Sequence, residues 1–267
     1  MLIGLLIIGL FSGLMAGMFG LGGGVILVPA MVILLGFTQI AANGTSLVVL
    51  TLPVGVFGCL EYYRKGKLRL RPALAAGLAL AVGSWFGAGI ALGLPPQLLS
   101  GLYGAFLVYN GWRYMAPMEW WQERRGQPKP PDPEDAAVDP DALRTVLISA
   151  GIGFVAGIFA GLFGIGGGVI IITGLTLILG FDHKLATGTS LGALLLPVTA
   201  PSAYRYWLDG HVDFSVVIPL ALTVAVGALF GARVTLGLPA KTVRRAFGLF
   251  LMLVSVRFLL AAVAGGG

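Results

Sequence analysis

Residues 17–28 read GMFGLGGGVILV, and residues 161–172 read GLFGIGGGVIII. No other feature narrows the possible folds as far: five glycines interrupt an apolar run, twice, at a shift of 144 residues. The same shift aligns AANGTSLVVLTLPV (41–54) with LATGTSLGALLLPV (185–198), Tyr62 with Tyr206, Gly87 with Gly231, and LGLP with LGLP. The chain is two homologous halves in tandem. In membranes such duplication is typical of carriers whose site lies between the halves.

That the setting is a membrane follows from composition: 57% hydrophobic residues, 10% charged residues and a mean hydropathy of +0.95 lie far outside the soluble range. The start, MLIGLLIIGLFSGLMAG, lacks the basic region of a cleavable secretory signal, so the N-terminus is expected in the mature fold. Apolar segments fall at about 1–36, 40–60, 72–94, 98–115, 145–180, 184–207, 214–238 and 243–263, most of them near the ~20 residues of a spanning helix. The organisation expected is a transmembrane repeat over 1–115, a partly disordered inter-repeat loop over 116–143 anchored by Trp120 and Trp121, and a second repeat over 144–267. The net charge of +6 sits in short loops beside apolar runs, which is where membrane orientation places it, so no nucleic-acid partner is expected.

The loops also carry a topology signal. EYYRKGKLRLRP holds five Lys/Arg and the next loop, LPPQ, none, whereas in the second half RYWLDGHVD holds one and LPAKTVRR three. The bias changes sides, so equivalent loops face opposite compartments and the repeats are inverted. An odd number of crossings per half is then required. Segment 1–36 as one straight helix would span about 54 Å against a ~30 Å hydrocarbon core, so it must break, and its glycines are the place. A hairpin there plus three ordinary spans gives the odd count.

Irregular backbone at membrane depth survives only where it is buried in protein or lines a cavity. The helix that restarts after each glycine cluster points its N–H groups and dipole back at the break, a setting suited to an anion. Gly22, Gly23, Gly24, Gly166, Gly167 and Gly168 are therefore candidate backbone donors, and Asn43, Thr45, Ser46, Thr187, Thr189 and Ser190 candidate side-chain partners. Two other readings stand beside this one. Small residues also permit tight helix packing, though packing needs spaced small residues and not consecutive ones, and Ser or Thr hydroxyls often bond their own helix carbonyls. Arg205 either guides an anion or snorkels to the headgroups, and Tyr62 and Tyr206 are expected in interfacial belts.

Several classes drop out. GLGGGV has Val25 where a dinucleotide fingerprint needs its third glycine, and GxxxxGK[ST] does not occur. A single cysteine, Cys59, rules out an internal disulfide and a Cys-based metal cluster, and no catalytic constellation accompanies His183 and His211. No cofactor and no enzymatic activity are expected. All eleven acidic residues lie in loops or at segment ends, which argues against a cation as cargo.

The doubled G-x-F-G-x-G-G-G, each copy followed about twenty residues later by A-x-G-T-S-L, resembles the sulfite exporter TauE/SafE family of membrane permeases over nearly the whole chain. The resemblance implies a multi-pass protein of the cytoplasmic membrane, a secondary transporter that moves a small sulfur-containing anion such as sulfite, sulfoacetate or another organosulfonate by alternating access. Its alternatives are an anion channel and an uptake permease for thiosulfate-like or sulfate-like anions. Partners are then the anion and membrane lipids, with a monomer or homodimer both open. Pro29 against Thr173, and Asn43 against Thr187, make the two half-sites chemically unequal. The expectation is an all-α polytopic protein of two inverted repeats, about four apolar segments each, the first segment broken at its glycine hairpin.

Overall fold

The computed structural model describes residues 2–20, 22–115, 142–237 and 241–263. The expected loop with Trp120 and Trp121 falls almost wholly outside the described residues. Within them every regular element is a helix, and there are twelve. The first half supplies α1 (Leu2–Phe19), α2 (Gly24–Leu34), α3 (Gln39–Thr51), α4 (Val56–Arg64), α5 (Leu70–Gly93) and α6 (Pro96–Met115). The second supplies α7 (Leu143–Phe163), α8 (Gly168–Ile178), α9 (His183–Ala193), α10 (Ala200–Leu208), α11 (Phe214–Gly237) and α12 (Lys241–Val263). Shifted by 144, the bounds of α2, α4 and α5 fall on those of α8, α10 and α11.

The first apolar segment of each half breaks at the glycines. After α1 and α7 the chain enters the left-handed region at Gly20 (φ 67°) and Gly164 (φ 71°), and it does so again at Gly22 and Gly23 and at Gly166 and Gly167. A side chain resists that conformation, which is why glycine is used. Helix restarts when Gly23 O accepts from the amides of Ile26 and Leu27, and Gly167 O from those of Ile170 and Ile171. The chain doubles back: Gly23 faces Ser12 and Ala16 of α1, and Gly174 of α8 lies on Ile152 of α7.

The second apolar segment, read as continuous over 40–60 and 184–207, is broken as well. Between α3 and α4 the axis bends by 50°. The cause is Pro53, which has no amide hydrogen and drives Leu52 into extended backbone (φ −72°, ψ 149°); Pro197 stands in the matching gap between α9 and α10. Each half therefore has six helices where about four segments were read. Helices α5, α7 and α11 are long and apolar enough to cross a membrane, and the bent α3–α4 pair makes a fourth candidate span.

Two compact units form, and each draws on both halves. The larger holds residues up to Leu92 together with Asp135–Gly237. Its long helices pair across the repeats: Gly9, Gly13 and Gly17 of α1 meet Leu220, Val224 and Ala228 of α11, while Gly153, Gly157 and Gly161 of α7 meet Ala76, Leu80 and Ser84 of α5. Residue numbers rise together in both pairs, so both run parallel. The spacing of four is the small-xxx-small pattern that lets backbones touch, and a Cβ at Gly157 would stand 2.3 Å from Leu80 O. Spaced glycines thus serve this helix pairing, and the consecutive glycines of the hairpins make close contacts of their own. The smaller unit is α6 against α12, antiparallel, with Gly104 on Leu259, Gly111 beside Gly248, and Tyr103 edge-on to Phe258 at 4.8 Å between ring centroids.

Candidate functional site

The two hairpin turns meet inside the larger unit. A Cβ on Gly24 would lie 2.5 Å from Gly164 O and 2.7 Å from Ile165 Cα, so the start of α2 touches the turn that precedes α8. Beside this contact lies a cavity of about 20 Å³, on whose wall stand Gly22 and Gly166 with Leu50, Leu194, Gly55 and Thr199. That is room for roughly one water-sized body. Helices α2 and α8 both begin here, each eleven residues long, so the positive ends of two dipoles converge on one spot. Among the described residues no acceptor is hydrogen-bonded to the amides of Gly166, Gly167 or Gly168.

Of the residues singled out from sequence, Gly22 and Gly166 reach the cavity wall, Gly23 and Gly167 cap the restarted helices, and Gly24 and Gly168 open them. The hydroxyls of Thr45, Ser46, Thr189 and Ser190 fasten one repeat to the other, whereas that of Thr187 is buried with no hydrogen-bond partner among the described residues. Ser46 Oγ donates to Gly164 O at 2.6 Å, and its counterpart Ser190 Oγ to Gly20 O at 3.1 Å. Thr45 Oγ1 accepts from the Asp213 amide at 3.0 Å, and Thr189 Oγ1 from the Arg69 amide at 3.2 Å. Asn43 Nδ2 donates to Leu162 O at 3.0 Å, and Thr187 packs on Gly20. All six of these polar side chains are fully buried.

Arg205 stands elsewhere. Its guanidinium lies 5.1 Å from the centre of the Trp85 ring and donates from Nη1 to Trp85 O at 3.2 Å, with Gly89 leaving the space it fills. Tyr62 and Tyr206, expected in interfacial belts, are instead fully buried. Tyr206 OH donates to Gly161 O at 2.9 Å, and the Cβ atoms of Tyr62 and Tyr206 lie against Gly188 and Gly44, where a side chain would collide with them. Their packing partners come from the other repeat, which local sequence does not reveal.

Two features escaped the sequence reading. One is Thr199, whose hydroxyl is 3.1 Å from Leu47 O and 3.0 Å from Thr51 Oγ1. The signal was present as a mismatch in the repeat, since Thr199 aligns with Gly55. The other is an ion pair between turns, Lys67 Nζ to Asp182 Oδ2 at 2.9 Å. Burial pushes the Asp182 carboxyl up, but the Lys67 hydrogen bond, the Leu185 amide, the Lys67 charge and the Lys184 amide outweigh it and hold the group below its ordinary value.

The profile of the sulfite exporter TauE/SafE family matches residues 5–258. Among curated proteins the chain is 26% identical over 253 residues to the probable membrane transporter protein YdhB of Bacillus subtilis, covering 95% of this chain and 94% of the relative. A probable membrane transporter protein of Haemophilus influenzae is 26% identical over 277 residues (96% and 97%), and one of Methanocaldococcus jannaschii 27% over 254 (89% and 86%). No solved structure matches significantly.

Proposed function

We propose, for a chain that belongs to the sulfite exporter TauE/SafE family of membrane transporters, that the cargo is a small sulfur-containing anion such as sulfite, sulfoacetate or another organosulfonate. The anion is held where the two glycine hairpins meet and is moved across the cytoplasmic membrane by alternating access. The observation that carries this reading is the turn-to-turn contact of Gly24 with Gly164 and Ile165, beside a cavity lined by Gly22 and Gly166, two residues before the restarted helices. Backbone amides of Gly22–Gly24 and Gly166–Gly168 supply the donors, and the buried setting strengthens each one.

Inverted repeats, and hence equivalent inward-facing and outward-facing states, have support in the packing. The turn before α11 packs on the middle of α3, through Asp213 on Thr45 and His211 on Gly44. The turn before α5 packs on the middle of α9, through Arg69 on Thr189 and Lys67 on Gly188. With α11 parallel to α1 and α5 parallel to α7, these contacts along the bent α3–α4 support a reading in which α1 and α7 enter from opposite sides. A transporter of this design exchanges the roles of its halves.

A cavity of about 20 Å³ is too small for an oxyanion with several heavy atoms, so cargo binding requires the hairpin turns to part. Ser46 and Ser190, each bonded to the opposite hairpin, are the contacts that parting must stretch. Every acidic residue lies in a loop or at a segment end, so exchange or uniport down the anion gradient needs no proton relay.

The test is flux in proteoliposomes, with sulfite, sulfoacetate, thiosulfate, sulfate and chloride offered in turn. Saturable sulfite or sulfonate uptake, accelerated by the same anion on the far side, is the expected result. Absence of flux for every sulfur oxyanion overturns the cargo, and flux without counterflow stimulation overturns alternating access in favour of a channel.

A further inference from the structure

We infer that Thr199 supplies the one side-chain donor to the anion at the hairpin cavity, whose remaining aliphatic wall favours sulfur oxyanions that keep one face free of hydrogen bonds. The inference rests on the anion-carrier reading above and names the one side chain that bonds the cargo.

The lining itself points to Thr199. Among the described residues on the cavity wall it alone carries a polar side chain; the others offer glycine backbone or aliphatic groups. It is 1% exposed, so whatever its hydroxyl bonds is bonded out of water, where a missing or surplus hydrogen bond costs most.

The proton count then shows that this hydroxyl is available. Thr51 Oγ1 donates to Leu47 O at 2.8 Å, Thr199 Oγ1 reaches the same carbonyl at 3.1 Å, and the two hydroxyl oxygens are 3.0 Å apart. Two O–H groups thus converge on one carbonyl that Thr51 alone can satisfy. Rotating the Thr199 hydrogen toward an anion leaves Leu47 O paired. The switch exchanges a neutral acceptor for a charged one, which forms the stronger bond.

The arrangement is one-sided. Thr199 aligns with Gly55, which also lines the cavity, and Thr51 aligns with Leu195. The wall that opens to an anion as the hairpins part carries Gly22, Gly166 and Thr199 on one part and Leu50, Leu191, Leu194 and Val224 on the rest. Sulfate carries oxygen on every side, and some of those oxygens would lie unpaired against aliphatic carbon. Sulfite presents the lone pair of its sulfur there, and an alkyl sulfonate presents carbon.

The experiment measures uptake of sulfite and methanesulfonate into proteoliposomes, with sulfate as competitor, for the wild type, Thr199→Val, Thr199→Ser and Thr51→Val. For Thr199→Val the KM is expected to rise roughly tenfold to a hundredfold, the range of a hydrogen bond to a charged acceptor, with Vmax changed little. Discrimination against sulfate, which the aliphatic wall supplies, should persist. Thr199→Ser should retain the wild-type KM. Thr51→Val, which leaves Leu47 O dependent on Thr199, should show a smaller rise. Should Thr199→Val not fold, Thr199→Ala replaces it, the aligned Gly55 showing that a small residue suits the position. A wild-type KM in a folded Thr199→Val or Thr199→Ala overturns this inference and leaves the carrier reading intact. A wild-type protein inert to both probes overturns the two together.

Discussion

Ser46 donates its hydroxyl hydrogen to the carbonyl oxygen of Gly164 at 2.6 Å, across the two repeats and at the turn that ends α7. Both hydroxyls are shared: Ser46 Oγ also lies 3.0 Å from Asn43 O, and its counterpart Ser190 Oγ lies 3.1 Å from Gly20 O and 3.4 Å from Gly168 O. The shorter, better-placed bond is the stronger fastening. Ser46→Ala leaves a buried carbonyl short of a donor and is expected to cost about 1–2 kcal/mol, and Ser190→Ala less. Thermal unfolding of the two variants in one detergent orders them, and an equal or reversed order sinks the assignment.

The spaced glycines give a contrast within one helix. In α7 a Cβ at Gly157 would meet Leu80 O at 2.3 Å, whereas at Gly151 nothing lies within 4 Å and φ is not positive. Gly151→Ala should therefore be neutral or stabilising by up to about 1 kcal/mol from helix propensity. Gly157→Ala must push α5 away and should lower the melting temperature by several degrees. Similar behaviour of the two would mean that α5 and α7 do not pack through this stripe.

At the Lys67–Asp182 pair the side chains are 40% and 27% exposed, so the charge interaction is worth under about 1 kcal/mol. The carboxyl is held below its ordinary value in the folded protein, so its contribution is present above the unfolded value near ~3.9 and is lost as pH falls through the folded one. Asp182→Asn keeps an oxygen to cap α9 and removes the charge. Its melting temperature should trail the wild type by a degree or two at pH 7, and the gap should close on acidification to about pH 3. A gap that persists unchanged there would trace to the cap and not to the ion pair.

Much of this architecture was legible because consecutive glycines have few uses. Three in a row cannot sit in a straight apolar helix at tolerable cost, so the breaks at Gly22–Gly24 and Gly166–Gly168 followed from local chemistry. The break at Pro53 was equally local, and it was passed over because the flanking residues stay apolar. What local chemistry does not contain is the partner. Tyr62 and Tyr206 look amphipathic and interfacial until Gly188 and Gly44 of the opposite repeat are seen beneath them. Ser46 and Ser190 each bond the opposite hairpin, a partner that local sequence does not name. Thr199 could be found only from a difference between the halves, where attention to their likeness had concealed it.

Arg205 separates steering from packing. Its guanidinium is already engaged, stacked 5.1 Å from the Trp85 ring centre and bonded to Trp85 O at 3.2 Å. A cation–π contact at a partly exposed site contributes about 0.5–1 kcal/mol. Arg205→Gln is thus expected to lower stability by about 1 kcal/mol, and Trp85→Ala should remove the same coupling, so that the double variant loses less than the sum of the two. If this arginine instead drew the anion in from solution, its loss would raise KM at low ionic strength and flatten the salt dependence of uptake, because long-range attraction is what salt screens. Uptake KM measured at low and at physiological salt should be the same for Arg205→Gln and wild type. A several-fold rise confined to low salt would move Arg205 from the packing of α10 on α5 to the path of the cargo.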